Sequence, residues 1–241
     1  MEKISQSAGC YRATNSLAYV VGIYLGDGSV WYNKHRNQYI FSLEVVDKDF
    51  AEKTRQELEA VIHRPINLHE RHKACTRSGI TYRLRVYDQN FCAFLKQSTN
   101  NKQLIPSFIS KGINSLAKNL IEGLMDSEGC IYRYKEIQPR YKLPTYKIQV
   151  SMSSSIVDQL AEYLKAYGVS VYARRERPQK SGIPHIEYTL SIVDYAASGI
   201  RFNIARKQQQ VEDYRKQLLT PSETEIFTRN RKDTVSPDNI G

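Results

Sequence analysis

The sequence lacks the signals that would assign it to a membrane or to a secretory pathway. Its longest apolar run, LAYVVGIYL at residues 17–25, is about half of the length that a membrane-spanning helix needs. The first ten residues, MEKISQSAGC, contain no apolar core of the kind found in signal peptides. We therefore expect a soluble intracellular protein that has no membrane partner.

Cysteine is scarce as well. The chain of 241 residues contains four cysteines, Cys10, Cys75, Cys92 and Cys130, and no two of them form a C-x-x-C pair. This spacing argues against a zinc knuckle and against a disulfide framework. The expected thiols are buried or incidental ones in a reducing compartment.

Acidic residues are outnumbered by basic ones. The chain has 35 Lys and Arg residues against 25 Asp and Glu residues, which gives a formal net charge of +10. Hydrophobic residues make up 41% of the sequence, enough to bury a core, so a disordered chain is excluded. The charge excess predicts a polyanionic partner, with nucleic acid favoured over an anionic membrane surface.

One segment of the sequence occurs twice. VVGIYLGDG at 20–28 returns as IEGLMDSEG at 121–129, so that two glycines and the acids Asp27 and Glu128 align. The same order of helix, two strands, helix, two strands and helix is predicted after each start. The predicted organisation is a first unit at 1–97, a linker at 98–113, a second unit at 114–219 and a polar C-terminal tail at 220–241.

The predicted strands come in adjacent pairs. QYIFSLEVV at 38–46 and YKIQVSM at 146–152 each place apolar residues on one face, and the last predicted helices are NFCAFLKQ at 90–97 and YAASGIRFNI at 195–204. Paired strands between helices predict antiparallel sheets with one covered face. The expected fold is α+β, with two pseudo-symmetric αββαββα units that form a saddle of antiparallel sheets around a two-helix interface.

The strand faces left outside the predicted core are rich in basic and hydrogen-bonding side chains. Lys and Arg can neutralise phosphates, and Arg, Gln and Ser can recognise base edges from a β-ribbon in the major groove. For any single residue, an ordinary solvated sheet face remains the alternative. The candidate DNA-binding residues are Lys34, Arg36, Gln38, Ser42, Glu44, Arg71, Lys73, Arg77, Arg83, Arg85, Arg133, Lys135, Lys147, Gln149, Arg174, Arg175, Arg177 and Lys180.

Small residues recur at four-residue spacing in both copies of the repeated segment. Ala18, Gly22 and Gly26 share one stripe of the first helix, and Gly123 and Ser127 occupy matching positions in the second. A glycine inside a helix is disfavoured by ~1 kcal/mol relative to alanine. Because small residues let two helix backbones approach closely, we expect these residues to form the interface between the units.

Pairing these helices brings Asp27 and Glu128 together at their C-terminal ends. Carboxylates there oppose the helix dipole and repel each other. Bound divalent cations would make this unfavourable arrangement of charges favourable, since carboxylates and helix-end carbonyls are oxygen ligands suited to Mg²⁺. Together with a basic saddle, the pair predicts hydrolysis of phosphodiesters by a metal-activated water. The alternative is that both acids merely cap turns.

The two segments, VVGIYLGDG and IEGLMDSEG, resemble the paired motifs of the LAGLIDADG homing endonucleases in their single-chain form, and the resemblance covers residues 15–218. It implies a monomeric metal-dependent endonuclease that binds double-stranded DNA and cuts both strands across the minor groove. It also implies two or more Mg²⁺ ions, with Mn²⁺ as a substitute and Ca²⁺ supporting binding only. An intron-encoded member would have its host intron RNA as a further partner.

The resemblance also implies roles for individual residues. Asp27 and Glu128 would be the catalytic metal ligands, assisted by the main-chain carbonyls of Gly26 and Ser127. Lys48 matches a frequent position for a basic active-site residue. Asp47, a further catalytic candidate, lies where a glutamine often orients solvent.

The sequence departs from the family pattern at several places. Many members carry a lysine just after the fourth strand of a unit, where this chain has Asp88 and Gln89 in one unit and Asp194 in the other. In place of the candidates Asp47 and Lys48 of the first unit, the second unit has Met152 and Ser153. We therefore expect two chemically unequal sites that cut the two DNA strands at unequal rates.

Three other functions are compatible with this scaffold. They are an RNA-splicing maturase, a DNA-binding protein that does not cleave, and a transcription regulator that uses the repeat only for binding. Retention of both Asp27 and Glu128 argues against lost nuclease activity. The lack of a separate helix-turn-helix module weakens the third alternative.

Overall fold

The structure, a computed structural model, describes residues 11–73, 79–134, 145–177 and 185–218, so the predicted tail at 220–241 lies outside the described residues. Within those ranges no helix has the length and apolar character needed to cross a membrane. In chain order the elements are α1 (Asn15–Leu25), β1 (Ser29–Asn33), β2 (Gln38–Val45), α2 (Lys48–Ile62), β3 (Leu68–His72), β4 (Ile80–Val86), α3 (Gln89–Ser98), α4 (Ser115–Glu128), β5 (Gly129–Tyr134), β6 (Thr145–Ser153), α5 (Ser154–Ala166), β7 (Val171–Arg177), β8 (His185–Leu190), α6 (Ile192–Ala197) and α7 (Ala205–Leu218).

Each unit contributes one four-stranded antiparallel sheet. The strand orders are β1-β2-β4-β3 and β5-β6-β8-β7, which are the same order written twice. The described strands thus pair only within their own unit, and the units are joined through helices. The predicted α+β fold, with repeated units and antiparallel sheets, is confirmed.

Period-two alternation decides which sheet face the helices cover. In β2, Phe41 and Leu43 are fully buried and pair in register with Val86 and Leu84 of β4. Phe41 meets Phe91 of α3 edge-on, with 5.9 Å between the ring centroids. Because directly paired residues share a face, the residues that alternate with these lie on the opposite side, which we call the outer face.

The helices α1 and α4 pack against each other along the predicted glycines. A Cβ atom added to Gly22 would lie 2.4 Å from the carbonyl oxygen of Leu120, and one added to Gly123 would lie 2.3 Å from that of Tyr19. Real Cβ atoms essentially never approach another atom within 3.0 Å, so any larger residue would push the helices apart. The two-helix interface of the predicted fold is thereby confirmed.

The end of the second unit differs from the prediction. The helix expected at 195–204 is the shorter α6, and Gly199 follows it with a φ of 76°. A further helix, α7, then begins at Ala205. Its sequence, ARKQQQVEDYRKQL, has too few apolar residues to show a helical period, which is why the pattern did not predict it.

Candidate functional site

Asp27 and Glu128 lie at the C-terminal ends of the paired helices. Glu128 is the last residue of α4, whereas α1 ends at Leu25 and Asp27 follows two residues later. The two segments are in contact, since a Cβ added to Gly26 would lie 3.1 Å from Cγ of Glu128. Burial raises the pKa of Glu128 to about 7, and the negative charge of Asp27 adds to that rise. Burial raises the pKa of Asp27 as well.

A lysine reaches the end of each of these helices. Lys102 Nζ donates a hydrogen bond to the carbonyl oxygen of Gly26 at 2.7 Å, and Lys207 Nζ donates one to that of Asp126, also at 2.7 Å. Burial lowers the pKa of both lysines, and the opposing attraction comes from Glu128 and Asp27 for Lys102 and from Asp126 for Lys207. Each lysine also opposes the rise in the pKa of the two acids.

The sequence analysis named Lys48 as a basic candidate and found no lysine after the fourth strand of either unit, whereas the structure places Lys102 and Lys207 at the helix ends. A weak signal for them exists in the sequence. NNKQ at 100–103 and ARKQ at 205–208 share a Lys-Gln pair 105 residues apart, close to the 101-residue spacing of the repeated motif. The signal is short, and it lies after the last helix of one unit and at the unpredicted α7 of the other.

The donor set at the helix ends consists of carboxylate and backbone carbonyl oxygens, which are the ligands that hard divalent cations such as Mg²⁺ and Mn²⁺ prefer. Among the described residues there is no group of three or more His, Cys, Asp and Glu side chains that could hold a metal ion. Mg²⁺ needs fewer protein ligands, because it keeps several waters and is held by one or two carboxylates together with substrate phosphates. Two adjacent carboxylates whose pKa values are raised would regain their charged forms beside a cation.

The other two catalytic candidates lie at the start of α2. Lys48, its first residue, is exposed. Asp47 accepts hydrogen bonds from Nε and Nη2 of Arg206 at 2.7 and 2.8 Å, and the neighbouring Asp49 accepts one from the backbone N–H of Ala205. Asp47 therefore ties α2 of the first unit to α7 of the second. A catalytic role for Asp47 or Lys48 stays a prediction.

The outer face of the first sheet carries two adjacent arginines at its centre. Arg83 pairs in register with Glu44 and with His69, and Arg85 pairs with Ser42. The Nε atoms of both arginines are buried and have no hydrogen-bond partner among the described residues. Two guanidinium groups with unused donors make this region a candidate for binding phosphate or base edges.

Further basic side chains lie close to these two arginines. Burial lowers the pKa of Arg83, and the charges of Arg85 and Arg71 lower it further. The guanidinium of Arg85 also lies 5.9 Å from the ring centre of Trp31, which is 40% exposed. Glu44 is the acid within this group, and it accepts hydrogen bonds from Arg71, Lys73 and Thr81.

The second sheet carries different residues at the same places. If the two registers are superposed from Gly28 and Gly129 onward, Glu187 corresponds to Arg83 and Thr189 to Arg85. Glu187 is 7% exposed and accepts a hydrogen bond from Nε2 of Gln149 at 3.3 Å. At these two positions the second sheet therefore carries an acid and a neutral residue where the first carries two arginines, and Arg175 of β7 pairs in register with that acid.

One predicted DNA contact, Arg174, lies on the helix-covered face instead. A β-bulge between Val171 and Ala173 shifts the alternation of β7, so that Arg174 pairs with Tyr188 and lies 3.8 Å from Asp158 of α5. The position of Arg133 pairs with the buried Tyr146. The prediction that Arg174 lies on the outer face is wrong, because the bulge moves this residue to the other side, and a DNA contact by Arg133 stays a prediction.

The remaining predicted DNA contacts are distributed over turns and outer faces. Lys34 and Arg36 are exposed in the turn between β1 and β2, while Lys147 and Arg175 are exposed on the second sheet. The residues Gln38, Ser42, Arg71, Lys73 and Gln149 lie on or beside the outer faces. Arg77, Lys135 and Lys180 lie outside the described residues, as do the side chains of Arg133 and Arg177.

Solved structures share this fold at low sequence identity. The LAGLIDADG meganuclease I-AabMI bound to uncleaved DNA matches 92% of this chain and 98% of its own, with 12% identity and a TM-score of 0.51. I-DmoI in complex with DNA and Mn matches 78% of this chain and 97% of its own, with 15% identity and a TM-score of 0.50. The architecture is therefore that of LAGLIDADG homing endonucleases.

Sequence comparison adds an uncharacterized relative of part of the chain. A search against protein-family models found no match. Uncharacterized protein MJ0314 of Methanocaldococcus jannaschii is 29% identical over 180 residues, which cover 70% of this chain. The match spans 61% of that relative's length, less than two thirds of it.

Proposed function

We propose that the protein is a site-specific DNA endonuclease that binds a long duplex and hydrolyses both strands across the minor groove with divalent metal ions. The observation that carries this proposal is that the charge of Asp27 acts on Glu128 where the two helix ends pack together, with Lys102 and Lys207 bonded to the backbone at the same two ends. The shared fold with DNA-bound LAGLIDADG proteins supports it.

Each part of the cluster has a chemical task in this proposal. Asp27 and Glu128 would hold Mg²⁺, helped by the carbonyl oxygens of Gly26 and Ser127. Bound Mg²⁺ lowers the pKa of water and neutralises charge on a phosphate. Lys102 and Lys207 each donate one of their three N–H groups to a backbone carbonyl oxygen. The two remaining N–H groups of each lysine can orient a scissile phosphate or pass a proton to its leaving oxygen.

The outer faces of the sheets would hold the duplex. The basic centre around Arg83 and Arg85 supplies phosphate or guanine contacts, and the exposed turn at Lys34 and Arg36 extends the same surface. We propose a monomer, because one chain contains both acids and both sheets. Mn²⁺ should replace Mg²⁺ in cleavage, whereas Ca²⁺ should support binding only.

The test uses the full chain and a duplex that contains its candidate site. If the reading frame lies in an intron, the intron-less junction of the flanking genomic sequence is that candidate. We expect cleavage of both strands in Mg²⁺, and a loss of at least about 10³-fold in Asp27→Asn and in Glu128→Gln. Binding in Ca²⁺ should stay within a few-fold, and Glu162→Gln, an exposed acid on α5, should cut normally.

Each alternative predicts another result. Cutting at the wild-type rate by Asp27→Asn or Glu128→Gln would contradict the proposed site. Tight binding without cutting in Mg²⁺ and in Mn²⁺ would instead indicate a DNA-binding protein on this scaffold. Splicing assistance with the host intron RNA, unaffected by Asp27→Asn, would indicate a maturase.

A further inference from the structure

One buried carboxylate of α4 holds the loop that leads into α7. Asp126 is 1% exposed, and its Oδ1 accepts hydrogen bonds from the backbone N–H groups of Asn203 and Ile204 at 2.8 and 3.4 Å. Its Oδ2 accepts from Nδ2 of Asn203 and from the hydroxyl of Tyr19, both at 2.8 Å. The carboxylate thus joins α4, the loop and α1 of the other unit.

A second carboxylate one turn earlier supports the same loop. Glu122 accepts a hydrogen bond from the backbone N–H of Arg201 at 3.2 Å. Residues four apart lie on the same helix face, so Glu122 and Asp126 together bind three backbone N–H groups of the segment 201–204. The path of the chain into α7 is therefore fixed by α4.

The loop fixes the place of Lys207. This lysine lies three residues after Ile204, in the first turn of α7, and its Nζ returns to the carbonyl oxygen of Asp126 at 2.7 Å. Asp126 therefore binds the loop with its side chain and the lysine with its backbone. On the far side, Arg206 fixes the same turn of α7 to Asp47.

The first unit has no counterpart of this arrangement. The positions that match Glu122 and Asp126 in the repeat are Val21 and Leu25, both buried and apolar. There, Lys102 ends a left-handed turn in which Asn100, Asn101 and Lys102 have φ values of 45°, 52° and 67°. Local backbone geometry places that lysine, with no carboxylate from α1.

We propose that Asp126 is a positioning residue that delivers Lys207 to the second of the two active sites, and that its bond with Tyr19 is dispensable for this task. The proposal rests on the nuclease function proposed above. Asp126 itself touches no substrate, so it acts through the loop 201–204. Its removal should therefore impair the cutting of one DNA strand only, whereas loss of Asp27 or Glu128 should abolish double-strand cutting.

The first test needs no DNA. Hydrogen–deuterium exchange of the amides of Asn203 and Ile204 is measured in the wild type and in Asp126→Ala, which removes both oxygens that accept hydrogen bonds from the loop. We expect exchange there to accelerate at least about 10-fold. The amides of Gln103 and Leu104, which are bonded to Thr99, are the internal reference and should be unchanged. Unchanged exchange at Asn203 and Ile204 would overturn the anchoring.

The second test resolves the two strands of a duplex labelled at either 5′ end in Mg²⁺. Asp126→Asn should slow one strand at least about 10-fold, and combining it with Lys207→Met should be no worse than Lys207→Met alone. Asn203→Ala, which keeps the carboxylate charge, should slow the same strand less. Tyr19→Phe is the matched control, because it removes a bond to Asp126 without touching the loop, and both strands should be cut normally.

The outcomes separate this proposal from the nuclease proposal. Equal slowing of both strands by Asp126→Asn and Asn203→Ala, or effects that add to those of Lys207→Met, would indicate a general structural role and overturn the positioning role. If the wild type cuts no DNA, the nuclease proposal and the strand-specific role fail together, while the exchange measurement still decides whether Asp126 anchors the loop. If Asp126→Ala does not fold, Asp126→Asn, which keeps one accepting oxygen, takes its place in the exchange test with a smaller expected acceleration, and Asn203→Ala decides the strand test.

Discussion

The two units have the same strand order and the same pair of helix-end acids, yet their surroundings differ. The first unit places Lys102 with a left-handed turn, whereas the second places Lys207 with a loop bound to α4. The shared parts are those that the two-helix interface requires. The different parts lie after the last predicted helix of each unit, where α4 holds the chain in the second unit and no carboxylate of α1 does so in the first.

The outer faces of the two sheets also carry different side chains at matching positions. Arg83 and Arg85 form the centre of the first face, and Glu187 and Thr189 hold the matching places in the second. A duplex lying across both sheets would therefore meet unequal positive charge, so we expect the first unit to supply more of the salt-dependent affinity. The two units therefore share their backbone fold but differ in the charged side chains at matching positions.

The largest difference is expected between the two lysines. Lys102→Met and Lys207→Met should each slow the cutting of a different strand, by about 10²-fold or more if the lysine orients the phosphate or passes a proton. The rates are measured on a duplex labelled at either 5′ end, with Lys111→Met as an exposed control. Slowing of the same strand by both variants would show that the lysines serve one site.

The next effect concerns the basic centre of the first sheet. Replacing Arg83 or Arg85 by Gln should weaken DNA binding in Ca²⁺ by about 10-fold, and the salt slope should fall by about 1 for each lost phosphate contact. Fluorescence anisotropy at several salt concentrations measures both. The matched control is Thr189→Ala, which should change affinity little.

A related control concerns the helix-covered side of the second sheet. Arg174→Gln should leave affinity unchanged, because the bulge in β7 places Arg174 beside Asp158. A loss as large as that of Arg85→Gln would contradict both the register and the proposed difference between the sheets.

At the helix interface the two units should respond alike. Gly22→Ala and Gly123→Ala each add a Cβ that would lie within 2.4 Å of a carbonyl oxygen of the opposite helix. We expect each to lower the free energy of unfolding by about 1–3 kcal/mol despite the better helix propensity of alanine. Denaturant unfolding measures this, and neutral behaviour of either variant would argue against the close packing.

The smallest effect is a pH dependence of stability. In the folded protein without metal the pKa of Glu128 is raised from 4.5 to about 7, so the native state holds this proton over that window while the unfolded chain releases it. Stability should therefore fall as the pH rises from about 4.5 to 7, and this part of the loss should be absent in Glu128→Gln.

Calorimetry with and without metal checks this sign. Above about pH 7, where Glu128 is ionised, Mg²⁺ should raise the Tm of the wild type more than that of Glu128→Gln. A metal-free wild type whose Tm does not fall relative to Glu128→Gln over the same window would show that the two carboxylates are not destabilising.

The sequence was sufficient for the parts that repeat. Gly22 with Gly123, and Asp27 with Glu128, follow from one motif written twice, and period-two alternation gave the sheets. The sequence was insufficient where a single local irregularity determines which face a side chain lies on or where a helix begins. The bulge at Val171 and Ala173 reverses the face of Arg174, and the polar sequence of α7 hides both the helix and Lys207.

The most direct test of the proposed function is a time course on supercoiled plasmid that carries the candidate site, in Mg²⁺, with Asp27→Asn and Glu128→Gln beside the wild type. We predict nicked and then linear DNA for the wild type, with unequal rates for the two strands, and intact plasmid for both variants. Plasmid left intact by the wild type, or linearised at the same rate by either variant, would contradict the assignment of Asp27 and Glu128 as the metal-binding pair of a DNA endonuclease.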